Sequence, residues 1–178
     1  LFLFVVYLIF FWQWDKNQTS FYVEGEVLYI GHRGSPTLIT ENTLPSFQKA
    51  IDQGVDGLEL DIRLSQDEKV IIFHDTDLKR LAGRKDKVNQ LTLEQLQRIV
   101  LIKKEEQTAE SQAPSFDDLV PLLDQIKVIN IEIKSEKLFD KSTILYRLLD
   151  FIHNNKIKHK CIVSSFNPYL FNPSFPNR

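Results

Sequence analysis

The sequence predicts an α/β fold whose mostly parallel sheet rolls into a barrel, and three observations carry that reading. The first is element order. From Val27 the chain reads β-α-β-β-loop-α-β-α-β, and strand–helix alternation builds a largely parallel sheet. The second is charge inside the strands. Leu58, Leu60, Ile62 and Leu64 alternate with Glu59, Asp61 and Arg63, while Ile131 and Ile133 alternate with Asn130, Glu132 and Lys134. An open parallel sheet covered by helices is apolar on both faces, so one charged face suits the lumen of a barrel. The third is size: 178 residues, 43% hydrophobic and 26% charged, suffice for one real core. A (β/α)8 TIM-type barrel takes ~250 residues and never much below ~200. Five strands can be counted, then a tail at 167–178 with three prolines and little pattern. The expectation is a TIM-type barrel incomplete after about five strands, through truncation or an altered frame near Asn167, with a smaller fold as the alternative.

Taken in order, residues 1–12 are an unbroken apolar, aromatic-rich run that starts on Leu rather than Met. The run is shorter than the roughly 20 residues that span a bilayer. Trp12 and Trp14 beside the first charges resemble an interfacial aromatic belt. The expectation for 1–14 is the end of a membrane anchor whose beginning is missing. A signal-peptide core and a buried core element are the rivals, and the side of the membrane is left open. A polar linker follows at 15–26, and the domain occupies 27–178. Residues 27–30 form a short strand ending on Gly31-His32-Arg33-Gly34, where glycine lets a ligand approach the backbone. Leu44, Phe47, Ala50 and Ile51 make a helical stripe over 43–53, with Asn42 as N-cap and Gly54 as stop. Strands at 58–64 and 70–73 flank a turn at 65–68. Residues 76–90 look charged and turn-like. A helix at 92–100 opens on a Thr92/Gln95 capping box, and 103–114 is a loop. A helix at 115–125 is shortened or bent by Pro121. A strand at 127–134 leads to a helix at 139–154 with Leu145, Leu148, Leu149 and Ile152 on its apolar face. A last strand covers 160–166.

Composition narrows the function. A net charge of −2 offers no electrostatic case for nucleic acid. The single cysteine, Cys161, excludes an internal disulfide and a cysteine-rich metal site, and reads as a small core residue. On one strand face Glu59 and Asp61 stand about 7 Å apart, and paired carboxylates are costly to bury without a proton or a cation. A solvated strand face is the bland alternative. Against it, Glu132 repeats the pattern on another strand, and three inward carboxylates make a hard-oxygen site for Mg²⁺ or Ca²⁺ rather than zinc. His32 and His74 each end a short apolar strand and are read as a proton-transfer pair. His153 and His159 lie among lysines and receive no role. Arg33 and Lys134 are read as anion holders. The set spells metal-assisted phosphoryl transfer, and no Gly-x-x-x-x-Gly-Lys-Ser/Thr loop points to a nucleoside triphosphate.

These residues fall in blocks that resemble the glycerophosphodiester phosphodiesterase family: HRG at 32–34, ENT at 41–43, GLELDIRLSQDEKVIIFHD at 57–75, NIEIK at 130–134 and SSF at 164–166. The resemblance implies a TIM-type barrel that hydrolyses glycerophosphodiesters to glycerol 3-phosphate and an alcohol. It matches Glu59, Asp61 and Glu132 to the metal ligands, His32 and His74 to the acid–base pair, and Arg33 and Lys134 to the phosphate site. Glu41 and Asn42 match a motif that supports the loop after the first strand. Residues 76–113 stand where the family has its insertion, in a shorter form, and the family's last strands have no counterpart.

The expected mechanism has the cation bridge phosphate oxygens and a glycerol hydroxyl or water. One histidine deprotonates the nucleophile and the other protonates the leaving alkoxide, in either assignment. The rivals are a lysophospholipase-D-like enzyme on the same barrel, acting on lysophospholipids, and an inactive membrane-tethered fragment.

Overall fold

The longest strand, β2 (Gly57–Leu64), is the axis of the fold. In this computed structural model, which describes residues 27–102, 110–135, 142–167 and 170, β1 (Ile30–His32) runs parallel to one edge of β2. On the other edge lies β4 (Val128–Ile133), also parallel, followed by β5 (Cys161–Ser164) parallel to β4. The crossovers are helical: α1 (Leu44–Asp52) joins β1 to β2 and α5 (Ser142–Asn154) joins β4 to β5. Residues 1–14 and 15–26, read as anchor and linker, lie outside the described residues, as do most of 103–114 and most of the tail. Among the described residues no helix is long and apolar enough to cross a membrane.

One strand breaks the parallel pattern. The chain after β2 turns within 65–69, too short for a crossover, so β3 (Val70–Ile72) returns antiparallel. Ser65 N donates to Lys69 O at 2.9 Å, and Glu68 takes a left-handed φ of 56°. With β4 already paired to Gly57 through Ile62, β3 occupies the β1 edge of β2, opposite Ile62, Arg63 and Leu64, beyond the point where β1 stops. His74 therefore leaves a strand that runs back down the sheet, not one that ends at its upper rim.

Burial follows the pleat. Leu58, Leu60 and Ile62 face the same way as Ile129, Ile131 and Ile133 in register and are wholly buried against α1, α4 (Val120–Leu123) and α5. At roughly 25 cal/mol per Å2 of apolar surface, this layer is the main source of stability. Phe47 and Ala50 close it from α1, and Phe116 stacks on Phe151 at 3.9 Å between ring centres. Gly57 allows the tight approach of β2 and β4, because a Cβ there would meet Val128 at 2.3 Å. Cys161 packs against this core, and burial pushes its thiol up to about 11.

Several local expectations are corrected. Thr43, not Asn42, caps α1, accepting from Ser46 N. Asn42 sits at φ 55°, and its amide is used elsewhere. The apolar face of α5 is Ile144, Leu148, Phe151 and Ile152, whereas Leu149 is 49% exposed. The capping box of Thr92 and Gln95 forms as expected, but its helix, α3, stops at Leu93–Gln97. Pro121 lies in the first turn of α4, where it bars the α-helix from extending back into the 3-10 turn at Asp117–Leu119. The stretch read as charged and turn-like holds a short helix, α2 (Lys79–Ala82), and a second core. Leu78, Leu81, Val88, Leu96, Ile99 and Leu101 pack there on Ile71 and Phe73. Ile71 pairs with Arg63, so this second core lies on the charged side of the sheet, next to the site.

Candidate active site

The parallel register decides which polar residues meet. Glu59 stands opposite Asn130, Asp61 opposite Glu132, and Glu132 opposite Ser164, while His32 on β1 pairs with Glu59. Residues directly opposed in a sheet share a face, so the alternation in β2 and β4 gathers Glu59, Asp61 and Glu132 on the side away from the helices. Their nearest carboxylate oxygens all lie within 4.8 Å of one another. Asp61 is fully buried and Glu59 nearly so. Burial foremost, and then the charges of Asp61 and Glu132, push the Glu59 carboxyl up to about 7, against the lowering by the Arg33 amide and charge.

Three carboxylates without sulfur or imidazole form the donor set of a hard cation such as Mg²⁺ or Ca²⁺. Asp61 Oδ2 accepts from Asn42 Nδ2 at 2.9 Å, while the buried Oδ1 has an ion pair with Lys134 Nζ at 3.2 Å and no well-aligned hydrogen bond among the described residues. A buried acceptor without an aligned donor is costly, and an ion is one way to complete its coordination. The residues therefore fit a divalent cation. Lys134 Nζ stands beside the cluster, 2.5 Å from Glu132 Oε1 and 3.2 Å from Asp61 Oδ1.

Arg33 is held in the left-handed region at φ 57°, a conformation that costs a non-glycine residue about 1–2 kcal/mol. Its N–H lies 3.0 Å from both Glu59 O and Glu59 Oε2. Its Nε is 3.0 Å from Asp61 Oδ2, and its terminal nitrogen donates to Glu41 Oε1 at 3.0 Å. Gly34 follows at φ 86°, where a Cβ would lie 2.5 Å from Ser46 Oγ. The turn after β1 therefore admits no side chain at that position.

The two histidines are held differently. His32 is 66% exposed, with Nε2 3.8 Å from Glu59 Oε2. His74 is engaged on two sides: Nδ1 is 2.7 Å from Asp75 Oδ1, and its carbonyl accepts from Arg63 Nε at 2.8 Å and a terminal Arg63 nitrogen at 2.7 Å. Burial, which would raise the Asp75 carboxyl, is outweighed by hydrogen bonds from Arg80 and His74, and the group lies below its usual range. With Asp75 ionised, Nδ1 of His74 carries the proton and Nε2 is the basic nitrogen. A cleft of ≈ 320 Å³ opens beside Glu132 and Lys134, with Arg63, Ser165, Phe166 and Asn167 in its lining. Lys134 Nζ sits 5.7 Å from the centre of the Phe166 ring.

Sequence reasoning gave no role to Arg63, Asp75 or Arg80. Arg63 reads as one more outward charge of an alternating strand, and only the β3 return brings the His74 carbonyl to it. Asp75 was visible as the neighbour of His74. Arg80 lies among other charges, and nothing in its spacing indicates that it meets Glu41 and Asp75.

Comparisons with known proteins place the chain and its fold. The glycerophosphodiester phosphodiesterase of Caldanaerobacter subterraneus is 32% identical over 151 residues, which cover 81% of this chain and 60% of that protein. Among solved structures, the glycerophosphodiester phosphodiesterase of Thermotoga maritima matches with a TM-score of 0.63 at 31% identity, over 86% of this chain and 61% of that one. A phosphodiesterase of Oleispira antarctica, solved with the product sn-glycerol-3-phosphate, matches with a TM-score of 0.67 at 26% identity, over 81% and 59% of the two chains. The described strands and helices thus form part of a TIM-barrel wall, and the chain spans about six tenths of the length of these relatives. The model of the glycerophosphoryl diester phosphodiesterase family matches residues 32–170, a stretch that runs from the first histidine past β5 and takes in every side chain of the site, and the chain belongs to that family.

Proposed function

We propose that the protein hydrolyses glycerophosphodiesters to glycerol 3-phosphate and an alcohol, with a divalent cation on Glu59, Asp61 and Glu132. The observation that carries this reading is the convergence of three carboxylates from two strands, with one oxygen of each within 4.8 Å of the others. The cation, Mg²⁺ or Ca²⁺, supplies Lewis acidity toward the phosphodiester when bound. Arg33 and Lys134 neutralise charge that builds on the phosphoryl oxygens. Of His32 and His74, one accepts the proton of the attacking hydroxyl and the other delivers a proton to the departing alkoxide. Attack by water gives glycerol 3-phosphate directly, whereas attack by a glycerol hydroxyl gives a cyclic phosphodiester that a water molecule then opens. His74, protonated at Nδ1 through Asp75, offers Nε2 for that exchange. The same reading includes membrane attachment through residues 1–14, supported by the apolar run and the Trp12/Trp14 pair.

The test is release of choline or ethanolamine, together with glycerol 3-phosphate, from glycerophosphocholine and glycerophosphoethanolamine. It is run with Mg²⁺, with Ca²⁺ and with chelator, and with the matching lyso-lipids alongside. Cation-dependent turnover of the water-soluble diesters is expected, and preference for the lyso-lipids would move the substrate class. His74→Ala should lower turnover by about 10²–10⁴-fold and leave cation affinity, read by calorimetry, nearly unchanged. Near-normal turnover in that variant would remove His74 from the mechanism.

A further inference from the structure

One guanidinium outside the carboxylate cluster joins the two loops that carry the proposed chemistry. Arg80 stands on α2, which is rooted in the second core through the buried Leu78 and Leu81. Ala82 N donates to Leu78 O and Ile102 N to Leu81 O, so the base of Arg80 is fixed from both sides. From there it reaches two carboxylates. Its Nε donates to Asp75 Oδ2 at 2.7 Å, and one terminal nitrogen to Glu41 Oε2 at 2.8 Å. The other terminal nitrogen is shared between Glu41 Oε1 at 2.7 Å and Asp75 Oδ1 at 3.1 Å. Each carboxylate has a further partner: Glu41 holds Arg33, and Asp75 holds His74 Nδ1. The resulting chain is Arg33–Glu41–Arg80–Asp75–His74.

We propose that Arg80 is a positioning residue: one planar fork clamps Glu41 and Asp75, locks the loop after β1 to the loop after β3, and holds the His74 ring with Nδ1 on Asp75. The fork geometry matters because an isolated, partly exposed ion pair contributes little. A guanidinium bridging two carboxylates through four hydrogen bonds fixes direction as well as charge. A lysine at this position has the charge and not the geometry. Without the clamp, Asp75 is free to rotate away and His74 samples both tautomers, only one of which leaves Nε2 unprotonated. The catalytic meaning of the clamp rests on the proposed phosphodiesterase reading, whereas its structural action on His74 does not.

The test reads both. In the full chain, ¹⁵N NMR of the histidine side chains is expected to show His74 in a single Nδ1–H tautomer when neutral. In Arg80→Ala, and in the near-isosteric Arg80→Gln should the alanine variant fail to fold, the two tautomers should mix. Asp75→Asn should push the ring toward the Nε2–H form. In turnover, Arg80→Ala should lower kcat by about a hundredfold while KM moves much less, and Arg80→Lys should not restore it. An unchanged His74 spectrum in both neutral variants, or full rescue by lysine, overturns the proposal. Absence of turnover in the unaltered protein would count against the phosphodiesterase reading alone, since the tautomer comparison still decides the clamp.

Discussion

The two faces of β2 are equally dry and are built on opposite principles. Leu58, Leu60 and Ile62 on one face, and Glu59, Asp61 and Arg63 on the other, are all less than 9% exposed. The helix-facing residues need nothing beyond neighbours of the right volume. The charged residues need partners: Asn42, Arg33 and Lys134 for Asp61, the Arg33 amide for Glu59, and the His74 carbonyl for Arg63. Compensation remains incomplete where the site would act, at the raised carboxyl of Glu59. One face thus stabilises the fold, while the other holds charge in an unfavourable place and invites a cation to offset it.

That contrast can be sharpened or broken by measurement. The largest effect is expected on the helix face: Leu60→Ala should cost about 2–5 kcal/mol of unfolding free energy. A loss well under 1 kcal/mol in a denaturant titration would mean that this face is not the packed layer described. The charged face should show itself as pH dependence. The Glu59 carboxyl goes from 4.5 when unfolded to about 7 when folded, so the folded state binds its proton more tightly. The corresponding stability is fully present below about pH 4.5 and is lost as pH rises through 7. In chelator, thermal unfolding of Glu59→Gln should lack that decline, and a parallel decline in both proteins would place its origin elsewhere. The smallest effect is restorative. At pH 7.5, Mg²⁺ or Ca²⁺ at a hundredfold excess over its dissociation constant should return about 2.7 kcal/mol, and Leu60→Ala should respond as the parent does. A cation that leaves Tm unmoved at any concentration would show that the carboxylate face is no metal site.

Much of this was legible in the chain. The period-two alternation in 58–64 and 129–134 is a local signal, because successive strand residues must point to opposite faces. It announced which carboxylates could share a side. The capping box at Thr92 and the interruption at Pro121 are equally local and came out as read. Errors arose where a neighbour outside the local window won. Asn42 has the chemistry of a cap, yet Asp61 offered it a buried partner, and the next residue took the capping role. Leu149 continues a helical stripe, yet the sheet reaches only as far as the side of α5 that carries Phe151. The stretch at 76–90 has few apolar residues, and only their meeting with Ile71, Phe73 and Leu96 makes a core of them.

Alternation, strand–helix order and the five motif blocks were enough to determine the barrel architecture, the family, and the set of acidic, basic and imidazole residues on which the proposed site is drawn. Each of these is written in spacing, and spacing survives without coordinates. The grip of Arg63 on His74 and the reach of Arg80 from α2 to two loops were decided by tertiary structure alone. Those contacts join residues from separate elements through long side chains, whose direction is set by whatever packs beneath them and by no period in the sequence.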